Sequence, residues 1–523
     1  MAHPYIVPAT EPRFGGYAVT VGGEPVPVLP VRVSKVPFCR RWPGHQRSLD
    51  QTELAGMARL SVSGETRLEV VADRDFSNAV VRPLSKGAKI ETAGRKITLA
   101  IPGPGHYSLE LDGRHGNLHI FADPPEQNMV SGSNGVADPP EQNMVSGSNG
   151  GMVSGSGIRY FGPGVHEPGL ITLKSGETLY IDEGAVVYGR IEARDADGIR
   201  ILGRGILDAS RVKAVPVRDD PARDAEDRAK GFEVANVERY DTIRLEFCDN
   251  VLIDGPTLRD APLYTIRPVG CRNLEIRNVK IVGNWRYNSD GIDMHNCRHV
   301  RISDCFIRTF DDCLCVKGFD CWMDEADMLH DGEMHDVFDD VVVERCTTWC
   351  DWGRNYEIGA ETRAREICGI VFRDCDAIYA THICCDVQNV DYAVVHDILF
   401  DDIRCEYDRH QPHIQTQRDD AERYDANPSE YCPARLMASV VWFAPEYSRG
   451  GLKRGVNRDV TFRNIQAFAP GMPPSEFRGH SAEGCVRDTI VDGLFLNGRR
   501  VASAAEANLR VGPFAEEPVF TGL

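Results

Sequence analysis

The run FDDCLCVKG, residues 310–318, sets two adjacent carboxylates, Asp311 and Asp312, inside an otherwise apolar stretch. Successive side chains on a strand point to opposite faces, so a regular strand cannot bring both acids to one side. Burying either one unpaired is costly. A third acid, Asp290 of YNSDGID (287–293), precedes Asp311 by 21 residues. In a structure of stacked coils about 4.8 Å apart, that spacing is close to one turn, and the three carboxylates crowd one exposed strip. Like charges held so close raise some pKa values and leave a protonated acid beside an ionised base near neutral pH. Inverting glycoside hydrolysis needs that pairing: the acid protonates the leaving oxygen and the base activates water across the sugar. A lone Asp-Gly is a common turn; two acidic motifs at one-coil spacing favour chemistry over turn capping.

Such a strip needs a repeating scaffold. From about residue 158, strand-like runs recur, among them NLEIRNVKI, HVRISDCFI, DVVVERCTT, GIVFRDCDA and DILFDDIRC. Leu274 and Val300 are 26 residues apart, Val341 and Ile370 are 29 apart, and Ile370 and Ile398 are 28 apart. Each run reads apolar–X–apolar, then polar residues or a small turn, then a second short strand, with almost no helical segment. This period predicts a right-handed parallel β-helix over 158–523, its inward Ile, Val, Leu and Cys stacking from coil to coil. Charged, Pro-containing insertions at 318–340 and 406–457 interrupt it and are expected on the binding face. Residues 1–121 alternate short Val-, Ile- and Thr-rich runs with Gly and Pro turns and predict an N-terminal antiparallel β-sandwich. Between the two, ADPPEQNMVSGSNG occurs at 122–135 and again at 137–150, followed by GMVSGSG at 151–157. Its polar composition predicts a loop or linker over 122–157.

The net charge of −19 excludes nucleic acid as a partner, because a phosphate backbone needs a basic footprint. No apolar run reaches the length of a membrane span, so no membrane partner is expected. The N-terminus lacks the basic start and apolar core of a secretory signal. Many of the 17 cysteines lie in strand-like runs (DCFI, HICCD, DIRCEY). They read as buried free thiols of a reducing compartment, which predicts a cytoplasmic protein. There the substrate would be a short imported oligosaccharide, attacked from its end. A homo-oligomer is compatible with the sequence. The insertion at 318–340 is dense in acids and, with Cys313, Cys315, Cys321, His330 and His335, brings metal ligands together. Their spacing fits neither a zinc ribbon nor an EF-hand, so no metal or cofactor is expected and a lid over the cleft is.

Over residues 261–318, APLYTIRPVGCRNLEIRNVKI, NSDGID and FDDCLCVKG resemble the polygalacturonase-type glycoside hydrolases of family 28 and their clan relatives, the dextranase and isopullulanase family 49. NSDGID matches NTDGID with Ser for Thr, and FDDCLCVKG matches GDDCIAIK. The resemblance implies a pectin-lyase-like β-helix. It also implies that Asp311 is the general acid while Asp290 and Asp312 position and deprotonate the water. WGRNYEIGAET (352–362) stands where the family has Gly-His-Gly and an IGSE-like strand, with Arg354 in the histidine's place. ATHICCDV (380–387), which contains His382, stands where polygalacturonases bind a uronate carboxylate through Arg-Ile-Lys, and it has neither Arg nor Lys. A uronate wants charge-assisted hydrogen bonds, so the expected substrate is a neutral α-linked oligo- or polysaccharide. Arg354 or Arg286 would offer a uronate a partner from a different position. Asn288, Lys317, Glu357, Glu361 and His382 are further candidates for substrate contact, and Trp285, Trp322 and Trp352 for stacking on sugar rings. The alternatives are a glycan lyase or fructosyl-transferring enzyme on the same solenoid, or a non-catalytic carbohydrate-binding solenoid.

Overall fold

The computed structural model describes residues 2–40, 47–126, 145–146, 152–153, 157–211, 240–319, 328–407, 414–417, 421–425, 434–444, 448 and 453–522. Most of the duplicated segment, Cys321, Trp322 and parts of both insertions lie outside these residues.

Two sheets form the N-terminal sandwich. One joins Ala2–Pro4, Thr52–Val62, Leu118–Asp123, Gly105–Leu111 and Ala79–Arg82, with Val28–Ser34 on the far side of Thr52–Val62. The other orders Glu24–Val26, Tyr17–Val21, Thr66–Ala72, Lys96–Ile101 and Lys89–Ala93. Thr66–Ala72 alternates buried and exposed residues along its whole length. Its inward Leu68 and Val70 meet Leu60, Ile97, Leu99, Leu109 and Ile120 in a closed core. The pairings are antiparallel except that Leu118–Asp123 runs parallel to Thr52–Val62.

The rest of the chain is a parallel β-helix, part of one continuous 32-stranded ladder. The repeat spacing is the coil register: Leu274 pairs with Val300, Val341 with Ile370, and Ile370 with Ile398. Three parallel sheets make the wall. The first, called here the cleft sheet, stacks Ile266–Val269, Ile292–His295, Leu314–Lys317, Arg354–Ile358, Ile383–Asn389 and Arg435–Val441. The second stacks Arg272–Arg277, Arg298–Ser303, Val337–Glu344 and the first halves of Glu366–Tyr379 and Val394–Glu406. The third stacks Lys280–Val282, Phe306–Thr309, Thr347–Cys350 and the halves that follow. Val337 already belongs to a coil strand, so the first insertion ends earlier than its composition suggests.

One residue per coil makes the corner between the second and third sheets. Asn278, Asp304, Arg345, Asp374, Asp402 and Asn464 occupy it, all with φ between 49° and 56°. Asn and Asp tolerate this left-handed conformation better than most residues, because their short polar side chains bond locally. The residue after each corner turns inward, which stacks Val279, Cys305, Cys346, Cys375, Ile403 and Ile465 in the core. Every cysteine among the described residues is a free thiol, most of them buried.

The sandwich docks on the third sheet. Leu29, Val31, Met57 and Phe121 pack against Phe306, Trp349, Ile378 and Tyr379. At the centre of this contact Lys280, fully buried, donates to Asp123 Oδ1 at 2.8 Å and to the carbonyls of Gly255 and Asn278 at 2.7 and 3.0 Å. Each of its protons has an acceptor, which is the condition for burying an ammonium. Lys280→Met should strand the Asp123 carboxylate and cost about 3–5 kcal/mol, read as a lowered urea midpoint. An unchanged midpoint would show that the ion pair does not hold the two units together.

Candidate active site

The outward face of the cleft sheet carries the acids. Ile292 pairs with Leu314, and the Gly291 amide donates to the Asp312 carbonyl at 2.8 Å. Asp290 therefore lies over Asp312, with Asp311 one residue earlier, a one-residue offset from the 21-residue spacing. Asp290 is fixed through its carbonyl, which accepts from the Thr265 hydroxyl at 2.7 Å and from Asn284 Nδ2 at 3.2 Å. The Asp311 carbonyl accepts from the Thr309 hydroxyl at 2.5 Å and the Cys350 thiol at 3.2 Å.

The bend needed to turn both Asp311 and Asp312 to the cleft is present. Cys313 and Leu314 both face the interior core, so the alternation resets between them, just before the regular strand begins at Leu314. From there Leu314 and Val316 point inward. Cys315 instead reaches Glu357 Oε2 at 3.7 Å, and Lys317 reaches the acids. Gly353 passes directly over the pair: a Cβ there would lie 2.2 Å from Asp312 Oδ1 and 2.6 Å from Asp311 Oδ1. Only glycine fits, and the next amide, Arg354 N–H, donates to Asp312 Oδ1 at 2.8 Å.

Two cations organise six carboxylates, and a seventh, Asp311, stands beside them. Lys317 Nζ lies 3.2 Å from Asp293 Oδ1, 3.5 Å from Glu361 Oε2 and 3.8 Å from Asp290 Oδ2. Arg354 lies 3.5 Å from Asp312 Oδ1, 3.5 Å from Asp386 Oδ2 and 3.8 Å from Glu357 Oε1. Burial disfavours both cations, yet the surrounding acids raise both well above their ordinary values and keep them charged.

The acids divide. Burial works against ionised Asp312, but Arg354, Lys317, a hydrogen bond with Glu357 and the Arg354 amide outweigh it and hold its pKa below the usual carboxylate value. Burial and then Asp312 push Asp311 up to about 7. Burial, Asp293 and Asp311 push Asp290 well above the carboxylate range. Burial raises Asp293 and Asp386 to about 6, and burial with Asp312 raises Glu357 well above its usual value. A protonated acid thus stands next in sequence to an ionised one.

The other expected contacts are spread around this cluster. Trp352 is half-buried and stacks on Phe310, with ring centroids 6.1 Å apart. His382 precedes the strand that pairs with Arg354, and burial, Arg354 and Arg435 push its pKa well below the usual imidazole value. Asn288, at φ 53°, makes the turn into Asp290. Trp285 and Arg286 are both bonded to Asp260: Trp285 Nε1 donates to its Oδ1 at 3.1 Å, and the Arg286 guanidinium pairs with the same carboxylate and lies on the Trp285 ring. The hairpin Leu329–His330 and Glu333–Met334 rests on Phe247, Asp195 and Arg272. The rest of the expected lid, 320–327, lies outside the described residues.

Asp293 and Asp386 were not singled out from the sequence, and Cys315 only as a candidate metal ligand beside the first insertion. Asp293 pairs with Cys315, Cys315 with Glu357, and Glu357 with Asp386, so they form one outward column. The 29 residues from Glu357 to Asp386 repeat the coil period and would have found the last of them. From the sandwich, Arg47 stacks on Phe310 at 3.9 Å and donates to the Trp285 carbonyl at 3.1 Å, bracing the turns that precede both acidic motifs. Phe38–Arg40 pairs with Gln415–Gln417 of the second insertion, and the Cys39 thiol is pushed up by burial and by the charge of Asp311.

The family model "Glycosyl hydrolases family 28" matches residues 227–326, the segment that carries Asp290, Asp311 and Asp312. A probable polygalacturonase of Vitis vinifera is 38% identical over 77 residues, 14% of this chain and 16% of the relative. A probable polygalacturonase of Arabidopsis thaliana is 29% identical over 122 residues, 21% of this chain and 26% of the relative. The matched segment thus spans between 16% and 26% of these relatives' length. Among solved structures, Dex49A from Penicillium minioluteum superposes with a TM-score of 0.60 at 14% identity, covering 99% of this chain and 96% of that one. That likeness shows a shared fold. The resemblance to family 28 and the parallel β-helix read from the sequence are both found.

The raised pKa of Asp386, about 6 against an ordinary 3.8, means that the folded state binds its proton more tightly than the unfolded state. Its stabilising contribution is present below the unfolded value and is lost as pH rises through about 6. Asp386→Asn removes that loss. The melting-temperature difference, variant minus parent, should grow between about pH 4.5 and 7.5. A flat difference would contradict the burial-driven shift.

Proposed function

We propose that this chain is an inverting glycoside hydrolase of the family 28 type that cleaves α-linked, neutral oligosaccharides from one end. The observation that carries this reading is the contrast between adjacent carboxylates: Asp311 held up to about 7 and Asp312 held low, on a turn closed by Gly353. In this reading Asp311 protonates the leaving oxygen. Asp312, ionised and anchored by the Arg354 amide, takes the proton of the attacking water. Asp290, one coil before Asp312 and sharing Lys317 with Asp293, orients that water. General acid and base help of this kind contributes about 10²–10⁴-fold each. The family 28 match over this segment supports the reaction class.

Charge supports a neutral sugar. Lys317 and Arg354 are committed to six carboxylates between them, and Arg286 is committed to Asp260. A uronate would add a further negative charge to a site where most acids are already forced to hold protons. The pairing of Phe38–Arg40 with Gln415–Gln417 near Asp311 supports attack from one end, since the two segments raise a wall beside the acid.

One observation favours a second stereochemical outcome. The Oδ1 atoms of Asp311 and Asp312 both crowd the Gly353 position. That puts them closer together than the ~6.5–9.5 Å at which inverting enzymes hold acid and base. A retaining route would use ionised Asp312 as the nucleophile. Proton NMR of the first-formed anomer separates the two: the β-anomer from an α-linked substrate supports inversion, and the α-anomer refutes it.

Asp311→Asn should fold normally and lower kcat by about 10²–10⁴-fold or more; near-parental turnover would refute the acid assignment. The activity of the parent should fall as pH rises through about 7, the value at which Asp311 loses its proton. Arg354 lowers both Asp311 and Asp312, so Arg354→Met should move both limbs of the pH profile upward. A panel of neutral and uronic α-linked oligosaccharides tests the substrate class, and preferential cleavage of the uronic members would overturn the neutral reading.

A further inference from the structure

On the second sheet, away from the cleft, one outward row sets a thiol and an imidazole side by side on adjacent coils. Charged contacts between coils on this side include arginine–carboxylate pairs: Arg345 with Asp304 at the corner, Arg373 with Glu344, Arg463 with Asp401. The row runs Arg298, Asp339, Cys368 and His396, paired in register on successive coils; Arg298 lies 3.6 Å from Asp339 Oδ2, and the thiol and imidazole follow on the next two coils. Glu366, two residues before Cys368, turns its carboxylate to the same point. One ligand atom each from Glu366, Cys368 and His396 lies within 4.8 Å of the others.

The histidine is already oriented. His396 Nδ1 lies 2.6 Å from Asp397 Oδ2, while Nε2 lies 2.7 Å from Glu366 Oε1. A carboxylate on one ring nitrogen fixes the tautomer and frees the other nitrogen as a ligand, which is the usual outer-sphere partner of a metal-bound histidine. The Cys368 thiol sits on the coil between Asp339 and His396, with Glu366 beside it. A divalent cation there favours the thiolate and satisfies the surplus carboxylates.

We propose that Glu366, Cys368 and His396 form a zinc-type site of one thiolate, one imidazole and one carboxylate, oriented by Asp397, that clips two adjacent coils together. Tetrahedral zinc takes such mixed S, N and O ligands at about 2.0–2.3 Å. Binding replaces the proton between His396 Nε2 and Glu366 and expels the Cys368 thiol proton, so it releases protons and weakens as pH falls. A water completes the fourth position.

The test uses the full-length chain stripped with a chelator and titrated with Co²⁺. One equivalent should produce a near-ultraviolet sulfur-to-cobalt charge-transfer band that Zn²⁺ abolishes. Cys368→Ser should lose the band while keeping the parental circular dichroism and the parental hydrolysis. Asp397→Asn, a milder change, should retain the band and weaken affinity by about 10–100-fold. Cys315 of the cleft is the control, because it also lies within 4.8 Å of two acid pairs. Cys315→Ser should leave the band in place. Absence of the band in the parent, its survival in Cys368→Ser, or its loss in Cys315→Ser would each overturn the assignment.

Discussion

Seven carboxylates share two cations in the cleft, and that imbalance governs what the site can do. Asp290, Asp293 and Glu361 gather on Lys317; Asp312, Glu357 and Asp386 gather on Arg354; Asp311 stands beside Asp312. Complete ionisation of all seven at this burial is unaffordable, so protons distribute according to which acid is closest to a cation and to a backbone amide. Asp312 has both and stays ionised. Asp311 has neither within bonding distance and takes a proton to about 7. The proposed roles of acid and base thus follow from position on the turn, and they depend on Lys317 and Arg354 remaining charged inside the protein.

The scaffold makes such a concentration of charge tolerable. In an isolated strand the column of Asp293, Cys315, Glu357 and Asp386 would simply repel. In a β-helix each member is held about 4.8 Å from the next by ladder hydrogen bonds, and the apolar stack beneath it supplies the opposing free energy. Ile292, Leu314, Tyr356 and Cys385 lie directly behind the acidic column. Stability spent on the outward face is recovered on the inward one. This also explains why glycine appears where chain crosses chain: at Gly291 a Cβ would lie 2.2 Å from the Cys313 carbonyl oxygen, and at Gly353 it would displace the acids themselves.

How much of this was legible in the sequence depended on whether the signal was periodic. The coil register was: Leu274–Val300, Val341–Ile370 and Ile370–Ile398 are partners as spaced. The clustering of Asp290 with Asp311 and Asp312 followed from the same period, and the bend at Cys313 from the clash between two adjacent acids and strand alternation. Contacts made by residues far apart in sequence were not legible. Nothing local marks Arg47 as the residue that braces Phe310, or joins Phe38–Arg40 to Gln415–Gln417. Nor does anything local mark the bonds that Trp285 and Arg286 both make to Asp260, one coil earlier. Sequence proximity to an active motif says little about which face a side chain takes once a corner intervenes.

The sandwich is therefore part of the site. A solenoid alone presents an open cleft, because its repeats are equivalent and none ends the groove. Here the N-terminal unit is fixed to the third sheet by Lys280 and Asp123 and by Arg308, which reaches Asn117 at 2.9 Å and Asp351 at 3.2 Å. From that anchor it sends Arg47 under the turns that carry the acids and Phe38–Arg40 alongside Asp311. The docking charges are buried and paired, with Asp123 Oδ2 and Arg308 Nη2 left without a hydrogen bond, so small displacements of the sandwich are resisted by more than hydrophobic contact. Whatever rigidity the Asp311 turn has is in part borrowed from a contact on another face of the solenoid, and the proposed general acid is positioned by two units folded against each other rather than by its own coil.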